Sequence, residues 1–165
     1  SRGGQRWGFS VSFPPMTRAQ FDPIYSFAIA QRGQYETFIW VPTTIGTTRG
    51  DSGETPVIDG ALSAGVTSAS LKSLTATTTN IIRSGDFLKF SGHSKVYMCT
   101  ADVDSDDSGD ATLAFVPKLT TAVGDEETVV IASVPFNVAF TTDINSYGTN
   151  ATTYYSYDIE LIEVP

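Results

Sequence analysis

The sequence contains one cysteine, one histidine and no long apolar run. With Cys99 alone, no intramolecular disulfide can form, which excludes a disulfide-built secreted scaffold. In its apolar surroundings Cys99 reads as a small buried hydrophobe. No His/Cys group has metal-ligand spacing, and neither a phosphate-binding glycine loop nor a paired-acid motif is present. No segment approaches the roughly 20 apolar residues that span a bilayer, so membrane insertion is not expected. No signal peptide is visible, and because the numbering opens without methionine a preceding segment is left open. Positive charge is also scarce: 10 Lys and Arg stand against 18 acids, giving a net charge of -8. Such a chain is poorly suited to gripping nucleic acid through phosphates, and sequence-specific nucleic-acid binding is not expected.

What is present suits a globular protein, with 41% hydrophobic and 12% aromatic residues in 165. That length makes one core, or one core with a small second lobe. The charge is divided along the chain. Residues 1–50 have a balance of +3, residues 51–131 of -7, and the remainder of -4. The basic opening reads either as a solvated face or as a complement to an acidic surface on a neighbouring subunit.

Residues 5–41 read strand, helix, strand. Trp7, Phe9, Val11 and Phe13 alternate with polar or small residues, the pattern of a strand with one buried face. Pro14 and Pro15 are expected to stop it. Thr17 is a plausible N-cap with Gln20 completing a capping box, stapled by Met16 and Phe21. Phe21, Ile24, Tyr25 and Ala28 form one apolar helical face. Pro23 leaves two starts open: a helix from Thr17 with a lost backbone bond, or a second cap at Asp22 with Pro23 in the first turn. Gly33 is the expected stop, and Thr37–Val41 resumes as a strand before Pro42.

Residues 43–55 read as a connecting loop. From Pro56 to about Ala132 the texture shifts to short apolar runs and frequent turns. Phe87–Phe90, a polar turn at Ser91–Ser94, and Val96–Cys99 predict a hairpin. Asp102–Asp110 is a second, acidic turn before Ala111–Val116, and Gly124–Glu127 precedes Thr128–Ile131. Four or five short strands at this spacing predict a small β-barrel or sandwich. Beyond residue 132, Phe136, Val138 and Phe140 share one parity, as do Tyr155, Tyr157, Ile159 and Leu161, with a loop over Asp143–Thr153. The first segment is too short to bury its own apolar faces, so the two ends of the chain are expected to pack together. The predicted organisation is a discontinuous domain over 1–50 and 133–165, interrupted by an inserted β domain over 51–132.

Few residues invite chemistry, and no catalytic, cofactor-binding or metal-binding residue is assigned. His93, between Gly92 and Ser94, is expected at an exposed hairpin tip, a poor place for a serine–histidine–acid arrangement. Asp102–Asp110 alternates carboxylates as a calcium loop does, but Asp107 stands where an EF-hand needs glycine and Leu113 where it needs a bidentate acid. A solvated turn is the preferred reading. Asn150-Ala151-Thr152 matches the glycosylation pattern, which is common by chance. Trp7, Trp40 and Tyr154, Tyr155 and Tyr157 either line a sugar-binding face or belong to the core, and strand spacing favours the core.

Gly4-Gln5-Arg6-Trp7, Phe13-Pro14-Pro15-Met16-Thr17-Arg18-Ala19 and Gln31-Arg32-Gly33-Gln34-Tyr35-Glu36-Thr37-Phe38 resemble, in order and spacing, the distal tail and related minor tail proteins of tailed bacteriophages. Ser84-Gly85-Asp86-Phe87, Val96-Tyr97, Gly109-Asp110-Ala111-Thr112-Leu113 and Pro117-Lys118-Leu119 resemble the β-rich insertions of that family. The chain departs from the pattern in opening almost at its first strand. The resemblance implies a mainly β protein: a tail-tube-like β-sandwich with one packed α-helix, interrupted by a small β-barrel or β-sandwich. It also implies a virion structural protein, made in the host cytoplasm. Its subunits would form a ring at the end of the tail tube, extending the channel and anchoring baseplate hub or fibre proteins. Two other readings remain. A carbohydrate- or receptor-binding module at 56–132 requires exposed aromatics in a concave site, and is weakened if Tyr97 and Phe115 are buried. A cell-wall hydrolase requires a poised acid or nucleophile pair, which is not recognisable.

Overall fold

The computed structural model describes the chain except residues 1–3, 52, 144 and 151. The opening alternation becomes β1 (Gly8–Met16), in which Gly8, Ser10 and Ser12 are exposed while Phe9, Val11 and Phe13 are half-buried. The strand does not stop at Pro14 and Pro15 as expected. It runs on to Met16 through a register shift after Phe13. A proline is tolerated at an edge strand and at a bulge, because neither position needs its missing N–H. Helix α1 (Arg18–Ala30) starts at Thr17, with the capping box closed by Gln20, whose Oε1 accepts the Thr17 N–H at 3.0 Å. Pro23 therefore lies inside the helix, the first of the two alternatives. Phe21 and Ala28 are buried and Ile24 and Tyr25 half-buried, while the remaining helical residues are exposed. The helix ends through Arg32 and Gly33, both with positive φ. At Gly33 a Cβ would lie 2.3 Å from the Asp143 carboxylate, so this approach requires glycine.

The remaining strands are β2 (Phe38–Trp40), β3 (Val57–Ile58), β4 (Ser68–Lys72), β5 (Phe87–Phe90), β6 (Val96–Cys99), β7 (Ala111–Val116), β8 (Val129–Val130), β9 (Phe136–Phe140), β10 (Gly148–Thr149) and β11 (Tyr155–Glu163). They form two sheets. One has the order β1-β11-β9-β2, with β10 also pairing β11; the other has the order β3-β4-β7-β6-β5-β8. Among the described residues the chain is mainly β with one helix. It divides into two compact units, one built mainly of Trp40–Phe136 and the other of Arg6–Ile39 with Asn137–Val164.

In the Trp40–Phe136 unit the six-stranded sheet curls until its ends meet. Val57 bridges Thr128, the Ile58 N–H donates to Glu127 O at 2.9 Å, and the Val129 N–H donates to Pro56 O at 2.9 Å. The result is a nearly closed barrel. Closure removes the unpaired edges that an open sheet carries. Its interior is continuous, with Ile58, Leu71, Ile81, Ile82, Leu88, Phe90, Tyr97, Leu113 and Phe115 all buried. The expected hairpin is present, with Phe87 opposite Met98 and Lys89 opposite Val96.

In the other unit α1 packs on one face of its sheet. The Phe21 ring stacks on Tyr155 at 4.7 Å and meets Tyr157 edge-on at 5.9 Å. The shared parity of Tyr155, Tyr157, Ile159 and Leu161 holds: Ser156, Asp158 and Glu160 between them are exposed. Phe13 opposes Tyr157 and Leu161 opposes Phe140, so these side chains share the covered face. The opposite face carries the Ser10–Glu160 and Ser12–Asp158 pairs. The expected loop over Asp143–Thr153 contains β10, which two residue pairs join to β11. Glu163 is buried, and its carboxylate accepts the Trp7 N–H at 3.3 Å.

Candidate functional site

His93 is not at an open hairpin tip. Its ring packs edge-on against Phe90 at 5.7 Å, and Nε2 lies 3.3 Å from Ala122 O. The β5–β6 turn is thereby folded back onto the segment after β7, an arrangement set by contacts distant in sequence. A polar cavity of about 360 Å³ lies beside it, lined by residues that include Ser94, Thr120 and Thr121.

Three of the carboxylates in Asp102–Asp110, those of Asp102, Asp104 and Asp106, serve the backbone. Asp102 accepts the Ser84 N–H at 2.8 Å and Asp104 the Asn80 N–H at 2.7 Å. Asp106 accepts the N–H groups of Ser108 at 2.8 Å and Asp110 at 3.0 Å, and these bonds hold its carboxyl below the ordinary value. This is turn chemistry of the Asx type. Among the described residues no group of three His, Cys, Asp or Glu side chains is arranged to hold a metal ion. Of the glycosylation pattern, Ala151 lies outside the described residues. The side-chain Oδ1 of Asn150 accepts the Thr152 N–H and hydroxyl and the Tyr154 N–H.

The aromatics divide. Trp7, Trp40 and Tyr155 are half-buried, Tyr157 is buried, and Tyr154 is exposed. Tyr97 and Phe115 are both in the barrel core, where they pack on each other and on Phe90. They are not available as an exposed platform. Cys99 is buried, its thiol donating to Ala101 O, and burial pushes the thiol up.

Two polar clusters went unmarked in the sequence, and both brace the barrel. Asp86 is buried and accepts four bonds: from Thr48 Oγ1 at 2.6 Å, Arg49 N–H at 3.0 Å, Arg49 Nε at 2.8 Å and Arg83 N–H at 3.0 Å. Burial pushes its carboxyl up, but the bonds from Arg49, Thr48 and the two backbone N–H groups outweigh that effect and leave it below the ordinary value. This carboxylate clips the segment after β2 to the start of β5. The same segment is tied to the last residues of the unit. The Thr48 N–H donates to Ile131 O at 2.8 Å, the Ser133 N–H to Thr47 Oγ1 at 3.0 Å, and the Val134 N–H to Gly46 O at 2.6 Å. The second cluster surrounds Lys72, whose ammonium lies 2.5 Å from Glu126, 3.2 Å from Asp125 and 3.4 Å from Asp59. The bond to Glu126 raises its pKa against the opposing effect of burial, with Asp125 and Asp59 adding to the rise.

The remaining feature is surface. Eight large hydrophobic residues are exposed among the described residues: Phe27, Ile29, Tyr35, Ile39, Val41, Ile45, Tyr147 and Tyr154. None lies between Val57 and Ile131, and all but Val41 and Ile45 belong to the Arg6–Ile39 and Asn137–Val164 unit. That unit also carries β1, an edge of its sheet with a polar face formed by Ser10, Ser12, Asp158 and Glu160.

Comparison with known proteins gives a result that fits this geometry. No curated protein matches the chain. A family model described as distal tail protein pb9, B domain, matches residues 46–134, more than half of the sequence. The ends of the matched segment are the residues joined by the Val134–Gly46 hydrogen bond. The chain belongs to this phage distal tail family, and its role is that of a structural protein of the phage tail.

Proposed function

We propose that the protein forms a ring at the distal end of the phage tail, extends the tube through the baseplate, and anchors baseplate hub or fibre proteins. The observation that carries this reading is the contrast in finish between the two units. The barrel closes its sheet and buries its large hydrophobics, while the other unit keeps sheet edges and six large exposed apolar side chains. An open sheet with two different edges suits a head-to-tail contact between identical subunits, the kind of contact that generates rings. The face bearing Ser10, Ser12, Asp158 and Glu160 suits the wall of a water-filled channel. In this reading the discontinuous scaffold of residues 1–50 and 133–165 is the tail-tube-like part, and the inserted domain over 51–132 projects towards a partner. Assembly takes place from subunits made in the host cytoplasm.

The alternative, a carbohydrate- or receptor-binding module at 56–132, draws no support from Tyr97 and Phe115, because both are buried. Ring formation is tested by cross-linking. With cysteines at Ser12 on β1 and Ile39 on β2, oxidation of the double variant is expected to give covalent oligomers, and each single variant dimers at most. Imaging of the assembly is expected to show subunit contacts above roughly 1,000 Å². A strict monomer at high concentration, without cross-links, would overturn the proposal.

A further inference from the structure

No further inference is drawn: the strongest candidate, the polar cavity beside the β5–β6 turn with the unpartnered Nδ1 of His93 next to it, carries nothing because that nitrogen is itself buried and nothing in the structure shows what would occupy the cavity.

Discussion

The barrel and the open-sheet unit solve the same problem in opposite ways. Both are built from antiparallel strands with one apolar face, and both must hide that face. The barrel does so with its own sheet: β3 and β8 meet, and Ile58, Leu71, Leu88, Phe90, Tyr97 and Phe115 fill the space inside. The other unit covers one sheet face with α1 and leaves Phe27, Ile29, Tyr35 and Ile39 in water. A closed barrel has little to gain from a neighbour, whereas an open sheet with exposed apolar side chains gains by burying them. In the proposed ring, the surface with most to gain from a neighbour therefore belongs to the unit outside the family match.

The largest effect is expected in the interior of the nearly closed barrel. Phe90 is fully buried and meets Tyr97 at 5.2 Å and Phe115 at 5.5 Å. Phe90→Ala should cost about 3–5 kcal/mol, the usual range for an aromatic removed from a packed core. Phe9, half-buried on the open sheet, should cost about 1–2 kcal/mol on the same change, in line with partial burial. Urea denaturation of both variants measures the gap. Equal costs would mean that the open sheet is as well packed as the barrel, and the contrast would fail.

Asp86 comes next. Asp86→Ala removes a buried acceptor from four donors and should cost about 2–3 kcal/mol at neutral pH. The same site fixes a pH dependence. Its carboxyl is held below the ordinary value, so the folded state binds fewer protons than the unfolded chain. The stabilisation is therefore present above the ordinary carboxylate value of about 3.9 and is lost as pH falls through the lower folded value. Urea midpoints of the two proteins should differ at pH 7 and converge below pH 4. A difference that persists undiminished at low pH would show that the loss comes from packing and not from the charge.

What the sequence made legible was local, and the Asp86 cluster was not. The alternation of Phe9, Val11 and Phe13, the Thr17–Gln20 capping box, the parity of Tyr155 to Leu161 and the 87–99 hairpin are local patterns, and each forms as read. β3 and β4 escaped notice because Ser68-Ala69-Ser70-Leu71-Lys72 alternates with small side chains, and its burial depends on β7 alongside it. β1 ran past its prolines because it is an edge strand, where one missing N–H faces away from β11, and because the register shift between Phe13 and Met16 leaves the other without a ladder bond to make. The Asp86 cluster joins residues 48, 49, 83 and 86 through a folded loop, and the packing of His93 depends on Phe90, Tyr97 and Ala122. Neither spacing has a sequence signature. The exposed apolar residues were visible as hydrophobes, but hydrophobicity alone does not say which ones a fold leaves uncovered.

A smaller effect separates the units from each other. The Thr17 cap supports α1 alone, and no capping residue of this helix belongs to the barrel. Thr17→Ala should cost about 1 kcal/mol. Hydrogen exchange should quicken along Arg18–Ala30 and remain unchanged at Leu88–Phe90 and Tyr97–Cys99. Faster exchange in the barrel strands as well would show that the two units open together.

The smallest effect on stability is the sharpest test of the comparison. Ile39 is 62% exposed at β2, the short strand ending its sheet. Ile39→Asp should change the stability of the subunit by no more than about 0.5 kcal/mol, as surface substitutions generally do. It nevertheless places a charge where apolar contact with a neighbour is proposed, and a desolvated unpaired charge is costly at an interface. Thr112→Asp adds the same charge at an exposed position of the barrel strand β7. In analytical ultracentrifugation Ile39→Asp should shift the protein towards monomer while Thr112→Asp leaves the oligomer intact. If Thr112→Asp dissolved the assembly and Ile39→Asp did not, the contact surface would lie on the barrel, and its closed sheet would be the part that meets other copies.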